Sequence, residues 1–363
     1  MKPSDQEMKQ AAANIAAELA LLDRPVRFME VCGTHTVSIF KAGIRQLLPE
    51  NIELVSGPGC PVCVTGSAYM DQAILYSRCS DVIIATFGDM LKVPGSLGTL
   101  LQEKAQGADI RIVYSPLDSL KIAREEPDKT VVFLAVGFET TTPTAAATIV
   151  TAQQENLRNF AVLPAHKLVP PALKALLDDP LTKIDGFLLP GHVCAVTGLA
   201  PFDFLAEQYH MPAVVAGFDP LDILQAVAQL ARQAAAGEAG LENEYRRVVK
   251  SIGNPVASQL VDTVYEPVDA IWRGIGSVPL SGLALREAYQ DFDIRNRLPL
   301  PPVTAAEPAG CRCGEVLKGR ITPPSCPLFR QVCRPESPVG ACMVSVEGTC
   351  AAWYKYGDSR WSI

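Results

Sequence analysis

An α/β fold with parallel sheet, split into two small domains and followed by a cysteine-rich region, is what the sequence predicts. Three observations point to it. Eight short apolar runs rich in β-branched residues alternate with helix-compatible stretches, the order expected of parallel strands joined by crossover helices. The runs have no uniform repeat length, which suits two small α/β domains better than one barrel. Beyond Ala236 the texture changes, and six of the eleven cysteines crowd between 311 and 350.

Taken in order, residues 5–22 read as an amphipathic helix, with Met8, Ala12, Ile15, Leu19 and Leu22 at helical spacing. Strands are predicted at 26–31, 52–55, 82–87, 110–114, 131–136, 160–163, 187–189 and 213–216, and helices at 68–78, 144–154, 171–177 and 221–235. Residues 237–247 are charged and read as helical. Residues 253–255, Pro267, Pro279 and 299–302 then break the pattern, and the cysteine-rich end reads as loops held by something other than a large core. The expected division is 1–120 for the N-terminal helix and first α/β domain, 121–236 for the second, and 237–363 for the C-terminal domain.

The loops after the strands are more informative than the strands themselves. Cys32-Gly33-Thr34-His35-Thr36 comes after the first, and Gly57-Pro58-Gly59-Cys60-Pro61-Val62-Cys63 after the second. Later strands lead into Gly88-Asp89-Met90, Gly137-Phe138-Glu139-Thr140-Thr141, Pro164-Ala165-His166-Lys167 and Pro190-Gly191-His192-Val193-Cys194. Loops at the carboxyl ends of parallel strands form the ligand crevice, so these clusters predict one shared cleft or two facing ones.

Bulk properties narrow the chemistry. A chain of 363 residues with 48% hydrophobic and 20% charged residues is ordinary for a folded soluble protein with a sizeable core. The net charge of −7, with no basic block, argues against a nucleic-acid surface. No apolar run reaches membrane-spanning length, and the polar first residues contain no apolar signal core. The expectation is a cytoplasmic protein, whose cysteines serve as metal ligands and reactive thiols instead of structural disulfides.

Cys60 and Cys63 have the spacing of a thiol–disulfide pair, and a helix starting near Cys63 would lower the thiolate pKa. The alternative is half of a zinc site, although no second Cys-x-x-Cys exists to complete it. Cys32 and His35 are three apart at the mouth of a strand; they suit one soft or borderline metal, or a buried structural cysteine. Glu139 reads as a general base, a hydrogen-bonding anchor, or a cap of the helix after it. Cys79 and Cys342 read as packing residues, and Cys194, beside His192, fits either role. Cys311 or Cys313 with Cys326, Cys333 and Cys350 offers four thiolates at gaps that match neither ferredoxin pattern, which leaves an iron–sulfur cluster and tetrathiolate zinc both open. No phosphate-binding loop, dinucleotide fingerprint or nucleophile elbow is present.

The motifs at 32–36, 57–63, 137–141 and 190–193 occur in one order with Cys-Arg-Cys-Gly-Glu-Val-Leu at 311–317, Cys-Pro-Leu-Phe at 326–329 and Met-Val-Ser-Val-Glu-Gly-Thr-Cys at 343–350. Together they resemble the HypD family of hydrogenase maturation factors over essentially the whole chain. The resemblance implies two similar parallel-sheet α/β domains plus a C-terminal iron–sulfur domain. It also implies a scaffold for assembling the Fe(CN)2CO unit of [NiFe]-hydrogenase, in stable complex with HypC, with cyanide donated transiently by HypE and the hydrogenase large subunit served indirectly. Carried over, Cys32 is the ligand of the nascent iron with its cyanide and carbonyl ligands. Cys60 and Cys63 are the redox pair. A [4Fe–4S] cluster is held by Cys326, Cys333, Cys350 and one of Cys311 and Cys313. His35 and His192 position or protonate intermediates. Cys194 departs from the small hydroxyl residue expected in its loop. The rival readings are a cluster-fed disulfide reductase that holds no iron at Cys32, and a zinc-stabilised binding module.

Overall fold

The computed structural model describes residues 5–19, 22 and 24–357. Among the described residues eleven strands are formed: β1 (Val26–Glu30), β2 (Ile52–Ser56), β3 (Val82–Thr86), β4 (Ile110–Ile112), β5 (Thr130–Ala135), β6 (Phe160–Pro164), β7 (Gly186–Pro190), β8 (Ala213–Ala216), β9 (Leu241–Asn243), β10 (Tyr265–Trp272) and β11 (Gly276–Leu285). They make a five-stranded parallel sheet in the order β2-β1-β7-β8-β9, a four-stranded parallel sheet in the order β4-β3-β5-β6, and the antiparallel hairpin β10-β11. β3, β6, β7 and β8 are buried along their whole length. That explains why they read as continuous apolar runs and not as alternating ones: helices cover both faces of each sheet.

All eight expected strands are present, and the expected helices appear as Asp5–Leu19, Ser67–Ser77, Thr142–Gln154, Val169–Leu177 and Pro220–Ala236. In the first helix Ile15 is buried, as is Leu22 just after it, whereas the side chains of Met8, Ala12 and Leu19 lie outside the described residues. Residues 358–363 lie outside them too.

The sheets do not follow a boundary at residue 120. β1 and β2 are joined by β7, Phe28 facing Gly186, so the first sheet combines 26–56 with 186–243 and the second is inserted between its halves as 82–164. Strand propensity shows where strands are and not which neighbour each one takes. The stretch 237–247, expected to be helical, instead contains β9, whose Leu241 lies opposite Ala213 on the sheet edge. Pairing with β8 overrides the helical propensity of its acidic residues.

Nor is 237–363 one body. Val264, Tyr265, Leu283 and Leu285 of the hairpin region join the core of the second sheet with Ile83, Val131 and Phe160. Pro267 and Pro279 therefore lie within strands, which a two-stranded ribbon tolerates because each strand has an unpaired edge. The helix Thr349–Tyr356 packs instead against Gly33–Lys41 of the first unit, with Trp353 meeting Phe40 edge-on at 5.2 Å between centroids.

The loops after β1 and β2 cross in direct backbone contact. Gly33 donates its amide to Gly59 O at 3.0 Å, and a Cβ on Gly59 would stand 2.3 Å from Cys32 N. No side-chain rotation relieves a clash with backbone. Gly59→Ala is therefore expected to destabilise the fold by about 1–3 kcal/mol, measured by denaturant unfolding; an unchanged midpoint refutes the crossing.

Candidate functional site

The crevice is built at the carboxyl ends of the first sheet and closed by the cysteine-rich end of the chain. Cys32 precedes the helix Gly33–Lys41, which starts where β1 ends; Cys60 precedes the short helix Pro61–Val64 after β2. Beneath them Glu30, at the end of β1, is buried and accepts hydrogen bonds from Thr36 Oγ1 at 3.0 Å and Ser56 Oγ at 2.6 Å. Arg45 lies 3.9 Å from the same carboxylate and faces the rings of Phe40 and Trp353. The roots of both thiol loops are thus tied to one buried carboxylate.

The cover is the loop between Ala341 and Gly348. Thr34 Oγ1 donates to Glu347 Oε1 at 2.7 Å, and a Cβ on Gly33 would stand 2.5 Å from Glu347 O. Ser345 reaches the Cys60 thiol on one side and Asp89, at 3.3 Å, on the other. Cys32 keeps part of its surface open, whereas Cys60, Cys63 and Cys194 are buried. Burial pushes the Cys32 thiol up to about 11; the nearby Glu347 charge adds to this, while the amides of His35 and Thr34 oppose it. A free Cys32 thiol therefore keeps its proton at neutral pH until a cation replaces it.

Cys60 and Cys63 are hydrogen-bonded to each other. Cys63 is held well below the ordinary thiol range by hydrogen bonds from Cys342 and Cys60, whereas Cys60, the donor within the pair, is pushed well above it. The expected lowering of a thiolate is present, but neighbouring thiols cause it in place of helix amides. Arg273, buried in the hairpin turn, adds a favourable charge for Cys63, and its amide donates to Val64 O at 2.9 Å.

His35 is fully buried. Its Nε2 meets Gly217 O at 2.8 Å, so that nitrogen carries the proton, while Nδ1 has no partner. Burial lowers its pKa to about 4, and the ring is neutral at pH 7. His192 is exposed on the same wall; both imidazoles lie against Phe218, at 4.6 and 4.0 Å between centroids. Cys194 is buried behind them within range of the Glu139 and Cys32 charges, and burial raises its pKa.

All six C-terminal cysteines, 311, 313, 326, 333, 342 and 350, line one narrow cavity whose other walls are Val316, Leu328, Phe329, Gly340 and Met343. Both candidates for the first ligand, Cys311 and Cys313, face it. Cys342 is buried in the core, and its thiol is also hydrogen-bonded with those of Cys313, Cys350 and Cys63, so that it stands between the cavity and the Cys60–Cys63 pair. Among the described residues no three His, Cys, Asp or Glu donors are drawn together as around a single ion. An all-thiol donor set in an apolar wall fits soft-metal chemistry of the iron–sulfur kind.

Sequence reasoning missed Ser345, Glu347, Arg273 and Phe218. Ser345 and Glu347 were visible only as letters within a motif, and nothing in the sequence distinguishes Arg273 or Phe218.

Glu139 caps a helix other than the one directly after it: its Oε1 accepts the Val169 amide, at the start of Val169–Leu177, at 2.7 Å, and Oε2 has no partner. Burial raises its pKa from 4.5 to about 7. Between those two values the folded chain holds a proton that the unfolded chain has released, so this residue makes stability fall as pH rises through that window and level off above it. Glu139→Gln keeps the acceptor and is expected to remove this part of the slope, a few kcal/mol at most, in denaturant unfolding at pH 5 and 7.5. An unaltered slope rejects the assignment.

A family model described as "HypD: Hydrogenase formation hypA family" matches residues 6–357. The chain is 46% identical over 362 residues to the hydrogenase maturation factor HypD of Rhodobacter capsulatus, covering 96% of each chain. It is 48% identical over 335 residues to the hydrogenase maturation factor HypD of Escherichia coli, covering 92% of this chain and 90% of the relative. It is 46% identical over 359 residues to the hydrogenase expression/formation protein HupD of Azotobacter chroococcum, covering 97% and 94%. With a match of this extent, and with the thiol loops of the crevice inside it, the chain belongs to the HypD family.

Proposed function

We propose that the protein acts in [NiFe]-hydrogenase maturation as the scaffold and redox factor on which the Fe(CN)2CO unit is assembled. It works in a stable complex with HypC, receives cyanide from HypE, and serves the hydrogenase large subunit indirectly. The observation that supports this reading is the meeting of Cys32, the Cys60–Cys63 pair and the six-cysteine cavity at one crevice. On this reading it works in the cytoplasm. Among the described residues no helix is long and apolar enough to cross a membrane.

Cys32, partly open and protonated when free, gives up its proton to hold the incoming low-spin iron through a soft thiolate. Releasing cyanide from a thiocyanate takes two electrons. The Cys60 and Cys63 thiols supply them: one thiocyanate and two thiols become one thiol, one hydrogen cyanide and one disulfide. Cys63, held toward the thiolate, is the attacking sulfur. Of the two thiol protons one goes to the released thiol and the other to the cyanide, and the cyanide goes to the iron on Cys32. His35 braces the loop of Cys32 against Gly217, and exposed His192 is placed to hold a proton at the crevice mouth. Cys326, Cys333, Cys350 and Cys311 or Cys313 are the residues that would hold a [4Fe–4S] cluster. Such a cluster supplies single electrons at low potential.

Cys32→Ser replaces a soft ligand with a hard, protonated one. This variant is expected to fold, keep its tail iron and meet HypC, yet to show no cyanide or carbonyl infrared bands and support no hydrogenase maturation. Undiminished bands would move the iron off Cys32 and favour the disulfide reductase. Anaerobically purified protein is expected to contain about four irons per chain, and Cys342→Ala to keep them. One zinc with no iron, or loss of iron from Cys342→Ala, overturns the ligand set.

A further inference from the structure

A second cleft lies at the carboxyl end of the other sheet, on the far side of the Thr65 loop from the thiols. It encloses about 360 Å³, the size of a small-molecule site, and its floor is the loop after β6 with the hairpin β10-β11 opposite. Two residues of that floor are unusual. His166 is 2% exposed, its ring is packed edge-on against Tyr265, and Nδ1 has no hydrogen-bond partner. No hydrogen bond offsets the burial of this imidazole. Lys167 is 5% exposed; its Nζ donates to Ile271 O at 2.7 Å and lies 5.5 Å from the centre of the Trp272 ring.

Neither neighbour of the Lys167 ammonium carries a charge. The acids of the cleft are engaged elsewhere. Asp269 accepts the Leu280 amide at 3.0 Å, and Glu307 takes Ser67 Oγ at 3.2 Å and the Arg273 guanidinium at 3.3 Å. Arg295, on the rim, is paired with Asp293. A buried cation without a counter-ion is costly, and burial lowers the Lys167 pKa to about 8, with no nearby charge to offset it. The third wall is the start of the helix Ser67–Ser77, eleven residues long, which no side chain caps. Its free amides favour negative charge. The Glu307 carboxylate already sits at this corner, on Ser67 and Arg273, which shows what chemical group the corner accepts.

We propose that this cleft binds a small monocarboxylate, held between the Lys167 ammonium, the His166 imidazole and the opening amides of Ser67–Ser77. One uncompensated positive charge calls for one negative charge, and the neutral imidazole supplies a donor to the second oxygen. Asp269 at the mouth disfavours ligands of higher charge.

The test is calorimetric titration of the anaerobically purified full chain with acetate, against sodium chloride at matched ionic strength. One saturable acetate per chain is expected, with inorganic phosphate binding more weakly. Lys167→Met is expected to weaken acetate binding at least about tenfold, as loss of a charge-assisted hydrogen bond does. His166→Phe, which keeps the ring against Tyr265 and removes its nitrogens, is expected to weaken it severalfold. If Lys167→Met fails to fold, the His166→Phe result decides: unchanged affinity rejects the site. Acetate binding no better than chloride, or undiminished in folded Lys167→Met, overturns the proposal, and phosphate binding more tightly than acetate overturns the monocarboxylate assignment.

Discussion

The seating of the loop Ala341–Gly348 on the loops after β1 and β2 governs the chemistry of the crevice. Glu347 takes the Thr34 hydroxyl and lies against Gly33, Ser345 reaches Cys60, and Cys342 donates to Cys63. Each contact crosses about three hundred residues of sequence, as Thr34 to Glu347 does with a separation of 313. Removing the loop would expose the Cys60–Cys63 pair to water and detach the six-thiol cavity from it. The glycines at 33 and 59 are what permit an approach this close, because a single methyl at either would collide with backbone.

The same seating separates the thiols by chemistry. Three sulfurs lie in or under one crevice, yet one is held down and two are pushed up. Burial alone would raise all three. The exception, Cys63, is the one that receives hydrogen bonds from two other thiols and a charge from Arg273. A neutral His35, with its proton fixed on Nε2 by Gly217, adds no positive charge beside Cys32. Thus position within the crevice, more than residue type, assigns each sulfur its part.

Much of this was legible in the letters. The strands at 26–30, 52–56 and 186–190 were apolar and bounded by glycine or proline, and the clusters after them met where parallel-sheet geometry places ligands. What was not legible was partnership between distant segments. Nothing in 26–56 says that it pairs with 186–190 across an inserted sheet, and nothing in Glu139 says that it caps a helix beginning at Val169. Cys342 shows the same limit: it is buried as a packing residue together with its flanks Ala341 and Met343, but that its sulfur also faces thiols from three other places in the chain could not be read.

The split of the first sheet has a consequence for how the protein is made. Residues 82–164 supply every strand of the second sheet, so that unit has all its pairing partners as soon as it leaves the ribosome. The first sheet waits for β7 to β9, and the crevice waits longer still, until residue 350 has emerged. Domains form as their chain becomes available during synthesis. The nascent chain therefore leaves Cys32, Cys60 and Cys63 uncovered for most of its translation. The three thiols come together under their cover only in the finished chain.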